Sequence, residues 1–399
     1  MRRVVMLSSE PLGPPWNGAD KNFAALLVRA DDANHYTIQA GRRPTFDLAH
    51  VTAVPSRFVS DQPTAAQKLR GLVFLLRHSR SVDLIHLVAS LANPSRLVGP
   101  TLRAWSTLQR TPIVHTIPSI GDRPILRRNF VGNATVVVSE YSRQRLLSQG
   151  VPNVFRVYPP LDAAALVPHA SPDLLAQQLA LGQRAVVYPG HYGEDGGVAE
   201  IIQAFARLPP DCDDAVLVLS CRTHVGQHAA LEAEKAEHLA HTAGIASRVR
   251  VLGQVADMPT LLAACAVTVL VPRRLTSKMD LPLVLLESLA LERPVIVIDR
   301  PPLNEVLIGG GGGLLIPPDD IASLVDGLTR LLRSPDLRYQ LAHHGRIGVR
   351  DQCQPTTVVA RYHEIYDEVL TRVGTRQSGS AACLPSMGGD RDAAAPDDA

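Results

Sequence analysis

Aromatic residues are scarce in this 399-residue chain, where Phe, Trp and Tyr together make up 4%. Proteins that grip single-stranded nucleic acid stack its bases on aromatic rings, so that partner is set aside. Cysteine is rare as well. Cys212, Cys221, Cys265, Cys353 and Cys383 are odd in number and form no C-x-x-C pair. That argues against a disulfide frame and a zinc site, and for reduced thiols in a cytoplasmic protein. Long apolar runs are missing too. The longest, Leu261–Val271, falls short of the roughly 18–20 residues that cross a bilayer. Arg2 and Arg3 precede only Val4–Leu7 before polar residues appear, which reads as a first strand and not a secretory leader. Gly and Pro show no three-residue period, which excludes collagen.

Net charge is also small, at +2, so the chain as a whole is no polyelectrolyte binder. Its distribution is uneven. Residues 1–160 hold 20 Lys and Arg against 9 Asp and Glu, a net of +11, and the remainder holds 20 against 29, a net of −9. A chain of this length suits two domains, and halves of opposite sign suit different partners.

What is present is a repeated alternation of short apolar runs and helical patterns. In the first half, strands are predicted at Arg3–Leu7, Leu84–Val88, Ile113–Thr116 and Thr135–Val138. Helices follow at Asn22–Ala30 and, capped by Ser139, through Gln144–Leu147. The break falls at Tyr158-Pro159-Pro160. The pattern restarts with strands at Ala185–Tyr188, Ala215–Ser220, Val249–Leu252, Val267–Val271 and Val295–Ile298, and a helix at Val198–Leu208. Continuous apolar strands are those of parallel sheets covered on both faces. The expected fold is therefore α/β, with two Rossmann-like, doubly wound parallel sheets facing a cleft. The expected division is 1–160, a linker at 161–183, a second domain at 184–352, a helix at 353–372 that crosses back, and a disordered tail at 373–399 rich in Ala, Gly, Ser and Asp.

The most informative stretch runs from Lys278-Met279-Asp280-Leu281-Pro282 through Glu287-Ser288-Leu289-Ala290 to Arg293-Pro294-Val295-Ile296-Val297. An acid lies near a loop, a proline opens a helix, and a second acid follows about a turn inside. Free N–H groups at a helix start attract phosphate. This stretch resembles the signature of the retaining GT-B glycosyltransferases of family 4, glycosyl transferases group 1. Further segments resemble the same family: Pro14–Gly18 its first loop, Val137–Ser142 its "V-S-x-x" helix, Pro159–Asp162 its interdomain segment. So do Val251–Val255, Val267–Pro272, Asn304-Glu305 and Gly313–Pro317, so that coverage runs from about residue 1 to 371.

The resemblance implies transfer of a sugar from a nucleotide-diphosphate sugar to a glycan or lipid-linked acceptor, with retention and without a metal or other cofactor. It puts the donor in the second domain and the acceptor in the first. By position, Glu287 holds the ribose, Asp280 contacts the transferred sugar, and Gly18 lets the first loop approach the phosphates. Gly190, His191 and Leu281 join the donor site. His115 either meets a donor hydroxyl or is satisfied within its sheet, and His86 carries the same choice. Three departures stand out. The family's first acid lies eight residues before the second, where this chain has Met279. The Arg and Lys of the family's first loop in the second domain are absent around Gly190-His191 and Gly196-Gly197. Pro118 replaces a family histidine. Arg273, Arg274 and Lys278 are the expected substitute cations.

Two D-x-D sequences, Asp211-Cys212-Asp213 and Asp390-Arg391-Asp392, are poorly placed for a metal site, and Gly309–Gly313 reads as a turn. Lys68, Arg70, Arg77 and Arg80 flank an apolar helical face over 68–80. It suits either an ordinary surface helix or peripheral contact with an anionic membrane at its inner face. The competing functions are a GT-B-like binding or partner subunit that has lost catalysis, and a nucleotide-sugar epimerase.

Overall fold

The computed structural model describes residues 1–13, 18–41, 46–56, 65–89, 98–121, 125, 129–192, 195–222, 229–275, 279–307, 309 and 311–380. Seven strands build the first sheet: β1 (Arg3–Ser8), β2 (His35–Ala40), β3 (Val51–Pro55), β4 (Leu84–Val88), β5 (Ile113–Ile117), β6 (Ala134–Val137) and β7 (Val154–Arg156). Six build the second: β8 (Ala185–Tyr188), β9 (Val216–Leu219), β10 (Val249–Val251), β11 (Val267–Leu270), β12 (Val295–Ile298) and β13 (Gly313–Ile316). Every pairing is parallel. The orders are β3-β2-β1-β4-β5-β6-β7 and β10-β9-β8-β11-β12-β13. Both orders reverse at one point, between β1 and β4 and between β8 and β11, as in a doubly wound sheet.

The expected strands form where continuous apolar runs predicted them. β4, β5, β6, β8 and β11 are buried along their whole length. β2 was not foreseen. In His-Tyr-Thr-Ile-Gln-Ala only Tyr36, Ile38 and Ala40 are buried, because β2 lies next to the edge strand β3 and is half covered.

The first sheet is flanked by α1 (Ala19–Ala30), α2 (Ala65–His78), α3 (Val98–Gln109) and α4 (Glu140–Ser148). The second is flanked by α5 (Pro172–Gln178), α6 (Val198–Ala206), α7 (Ala229–Thr242), α8 (Met258–Ala264), α9 (Leu283–Ala290), α10 (Ile321–Arg333) and α11 (Pro335–Cys353). Ser139 caps α4 as predicted, its hydroxyl accepting from the Ser142 N–H at 3.1 Å.

The last helix, α12 (Pro355–Ser380), follows the second sheet in sequence but packs on α1. Its backbone runs eight residues past 372, into the segment expected to be a disordered tail, since extending a formed helix costs little. Residues 381–399 lie outside those described. Phe23 of α1 meets Tyr362 of α12 edge-on, with ring centroids 6.4 Å apart.

A buried polar chain fixes α12 to the first sheet. Tyr36 donates its hydroxyl proton to Asp31 at 2.6 Å, and the Tyr36 and Tyr366 hydroxyls are bonded. Tyr366 meets His86 Nδ1 at 2.7 Å, His86 Nε2 meets Thr116 Oγ1 at 2.8 Å, and Thr116 meets Tyr362 at 2.9 Å. Asp31 only accepts, so the protons all point toward it. Tyr366 donates to Tyr36, His86 donates from Nδ1, Thr116 donates to Nε2, and Tyr362 donates to Thr116. A neutral imidazole is required, and burial pushes His86 down to about 3. His86 is thus satisfied within the sheet.

Replacing Tyr366 with Phe leaves His86 Nδ1–H and Tyr36 short of partners in a dry interior. Urea unfolding of Y366F should show a loss of ~1–3 kcal/mol. Y339F, at an exposed tyrosine of α11, should show almost none.

Candidate active site

The carboxyl ends of β8, β9, β10 and β11 open onto one cavity of about 340 Å³. Pro189 and His191 follow β8, Ser220 and Arg222 follow β9, Gln254 follows β10, and Leu270 ends β11. The cavity therefore sits at the switch point of the second sheet, where open α/β sheets bind ligands. Asn22 of α1 closes it from the first domain.

Helix α9 sets one wall. Leu285, Leu286, Ser288, Leu289 and Ala290 are buried in the core. Leu283, Val284 and Glu287 share the remaining face by their helical spacing and line the cavity. The Ser288 hydroxyl fixes this rotation. It donates to the Arg293 carbonyl at 3.1 Å and lies 2.7 Å from Thr268 Oγ1 on β11. Pro282 precedes the helix, no side chain caps its start, and Pro282, Leu283 and Val284 line the cavity there. Burial pushes the Glu287 carboxyl up to about 7, and the Arg222 guanidinium pulls it back.

The other expected donor residues divide. His191 lines the cavity. Gly190 is held against the ring of Tyr188, where a Cβ would lie 2.1 Å from Cε1, so only glycine fits. Gly197 starts α6 with φ +81°, and a Cβ there would lie 2.2 Å from the Val271 carbonyl oxygen. Gly18 precedes α1, three residues before the buried Lys21, which pairs with Glu10 at 2.8 Å. Leu281 is fully buried in the core. Arg273 and Arg274 are not brought to the cavity. Arg273 pairs with Glu200, and Arg274 lies 3.6 Å from Asp195. Lys278 lies outside the described residues. His115 sits within β5, its Nε2 3.1 Å from the Ala89 carbonyl, and burial pushes it down to about 4. It is not on the cavity wall.

Asp280 is brought elsewhere. Its carboxylate crosses to the first domain and accepts from Ser139 Oγ at 2.7 Å and from Ser142 Oγ. Its N–H donates to the Pro118 carbonyl at 3.0 Å. Glu305 caps the same helix start, accepting from the N–H groups of Glu140 and Tyr141 at 2.6 and 2.7 Å. Two acids of the second domain thus clamp the positive end of α4. Met279, the residue before Asp280, faces the cavity instead.

Sequence reasoning missed Arg222. The signal was a cation three residues past the apolar strand Val216–Leu219, at a strand's carboxyl end. Asp211 and Asp213, of the first D-x-D, are engaged by Arg333 at 2.7 Å and Arg248 at 3.5 Å. The second D-x-D lies outside the described residues. In the Gly309–Gly313 run, Gly312, at φ +102°, packs where a Cβ would lie 2.8 Å from Leu289 Cδ2, and Gly313 begins β13, while Gly310 lies outside the described residues.

Residues 174–347 match the family model described as glycosyl transferases group 1. That match covers most of the second domain, which is similar to group 1 glycosyltransferases there. Both sheets fit the GT-B fold to which solved neighbours point. Anabaena HepE in complex with UDP and glucose aligns with a TM-score of 0.71 at 16% identity, over 92% of this chain and 100% of that one. Sucrose-phosphate synthase of Thermosynechococcus elongatus aligns at 0.70 and 18%, over 96% and 100%. An exopolysaccharide phosphotransferase of Streptomyces coelicolor is 25% identical over 346 residues, 82% of this chain and 33% of its own. The chain spans about a third of that relative.

Burial raises Asp280 to about 6 from 3.8 and Glu287 to about 7 from 4.5. Between those lower and upper values the native state keeps protons that the unfolded chain has released, so stability falls as pH rises through this window. Urea midpoints measured from pH 4 to 8 should show that decline. D280N should flatten its part up to about pH 6, and E287Q its part up to about pH 7.

Proposed function

We propose that this protein transfers a sugar from a nucleotide-diphosphate sugar to a glycan-type acceptor, with retention and without a metal. The carrying observation is Glu287 on the same cavity wall as the uncapped start of α9, at the sheet's switch point. A buried carboxylate accepts a pair of ribose hydroxyls, and helix N–H groups take phosphate. The leaving diphosphate gains charge in the transition state and needs fixed donors or cations there more than it needs a base. The HepE structures hold UDP with glucose and UDP-glucose, which supports a uridine nucleotide as the first donor to try. The likeness to an exopolysaccharide enzyme supports an envelope or extracellular glycan as acceptor. In this reading Asn22 of the first domain borders the acceptor's approach.

Unfolding of the purified protein should shift upward with UDP or one nucleotide sugar. At about 100 times its dissociation constant a ligand adds ~2.7 kcal/mol. E287A should lose that shift, and the wild-type protein should consume the sugar nucleotide. Failure of every nucleotide to shift the transition would overturn the reading. A second reading, a partner subunit that binds without catalysis, is favoured by Met279 on the cavity and Asp280 in the clamp. It is the outcome if the ligand binds and is never turned over with any acceptor or hydrolysed.

Helix α2 adds a proposed site of action. Leu69 and Val73 are 59% and 54% exposed, one turn apart, beside the exposed Arg70 and Arg77. An apolar strip with basic flanks suits the anionic inner face of a membrane. Lys68 side-chain structure lies outside the description. Vesicles containing phosphatidylglycerol should co-sediment the protein, those of phosphatidylcholine should not, and L69E/V73E should abolish the difference.

A further inference from the structure

A nucleotide diphosphate in this cavity would call for a cation; the β8 loop carries no arginine or lysine, and of the substitutes on the later loop Lys278 lies outside the described residues. The glycine loop after β8 carries His191 where the resemblance places an arginine or lysine nearby. Arg273 and Arg274 lie off the cavity, on Glu200 and Asp195. Among the described residues lining the cavity, Arg222 is the one arginine or lysine. We propose that Arg222 is the residue that receives the diphosphate of the nucleotide, supplying from the end of β9 the charge that the β8 loop lacks. This inference rests on the transferase reading and names a residue of its donor site.

Three observations carry it. First, the backbone of Arg222 is fixed against the glycine loop. Its N–H donates to the Gly190 carbonyl at 3.2 Å, and its carbonyl accepts from the Tyr192 N–H at 3.1 Å, so His191 and Arg222 lie side by side as a short parallel bridge. The side chain therefore starts from a set position on the cavity rim and not from a wandering loop. Second, Arg222 and Glu287 occupy one cavity and act on each other electrostatically, each favouring the other's charged form. A nucleoside diphosphate presents a hydroxyl-rich ribose beside its phosphates. A carboxylate and a guanidinium on one wall match those two halves, the first accepting from hydroxyls and the second donating to phosphate oxygens. Third, the other polar side chains on the wall, Asn22, His191, Ser220 and Gln254, carry no fixed charge, and Val255, Met258, Leu270 and Met279 are apolar. Among the described lining residues the guanidinium is thus the one fixed cation a phosphate meets.

A guanidinium also differs from the point charge it replaces. It offers paired N–H donors in one plane and stays charged at any working pH. Arg222→Lys should thus keep attraction and lose bidentate geometry, while Arg222→Gln should lose both.

Calorimetric titration of the full chain with UDP, UMP and uridine tests this, with GDP and ADP series alongside in case the base differs. The quantity read is the ratio of diphosphate to nucleoside affinity at pH 8.5, because the ratio cancels changes confined to the nucleoside half. For the wild type the diphosphate should bind more tightly than the nucleoside. In Arg222→Gln the ratio should fall by about tenfold or more, as expected for losing a charge-assisted pair. In Arg222→Lys it should fall less. Thermal unfolding of each variant without ligand, close to wild type, shows that the fold is retained. A wild-type preference for diphosphate that survives unchanged in Arg222→Gln overturns the assignment of Arg222 while leaving the transferase reading in place. No binding of any nucleotide to the wild type overturns both.

Discussion

The positive end of α4 is the point on which the two sheets depend for their relation to each other. Ser139 opens the helix and takes the Ser142 N–H on its own hydroxyl oxygen, which leaves the N–H groups of Glu140 and Tyr141 to find acceptors. Glu305 of the second domain accepts from both, and Asp280 accepts from the Ser139 and Ser142 hydroxyls beside them. The contact joins the basic half of the chain to the acidic half at a helix dipole, so attraction between the halves has a specific seat. Asp280 lies one residue past Met279 and three before α9. The same short stretch therefore clamps the domains with one residue and lines the cavity with its neighbour. Opening the domains and rearranging the cavity wall are coupled by chain connectivity.

The second tie is of another kind. Helix α12 returns to the first sheet through a fully buried chain of hydroxyls ending on Asp31, with His86 in the middle as a neutral relay. A network of this type stabilises little compared with apolar packing and is costly to leave half made. It holds α12 in one register on α1 and β4, where apolar packing alone would tolerate sliding. The clamp at α4 mixes two kinds of contact: Asp280 is buried against the Ser139 and Ser142 hydroxyls, whereas Glu305 is partly exposed.

The cavity's chemistry turns on the burial of one carboxyl and the cation beside it. Glu287 would be an ordinary carboxylate on a surface helix, but on this wall burial lifts it to about 7 and makes it sensitive to the Arg222 charge. Arg222 and not the more numerous arginines of the following loop draws the functional inference because it shares the cavity with Glu287, whereas Arg273 and Arg274 lie on Glu200 and Asp195.

Much of this was legible in residue order. Continuous apolar strands marked both sheets, Ser139 marked the start of α4, and Pro282 with Glu287 marked the cavity helix, because each depends on neighbours in sequence. β2 escaped because its alternation reflects a half-covered position near a sheet edge. The orientation of Asp280, the diversion of Arg273 and Arg274 to Glu200 and Asp195, and the arrival of Arg222 beside Glu287 were not legible either. A loop residue's direction is set by partners 65 to 141 positions away, brought near only when parallel strands align their carboxyl ends. Local periodicity thus determined the elements and the helix that bears Glu287. The tertiary structure decided which charges meet, because pairing across a cleft depends on distance in space and not on spacing along the chain.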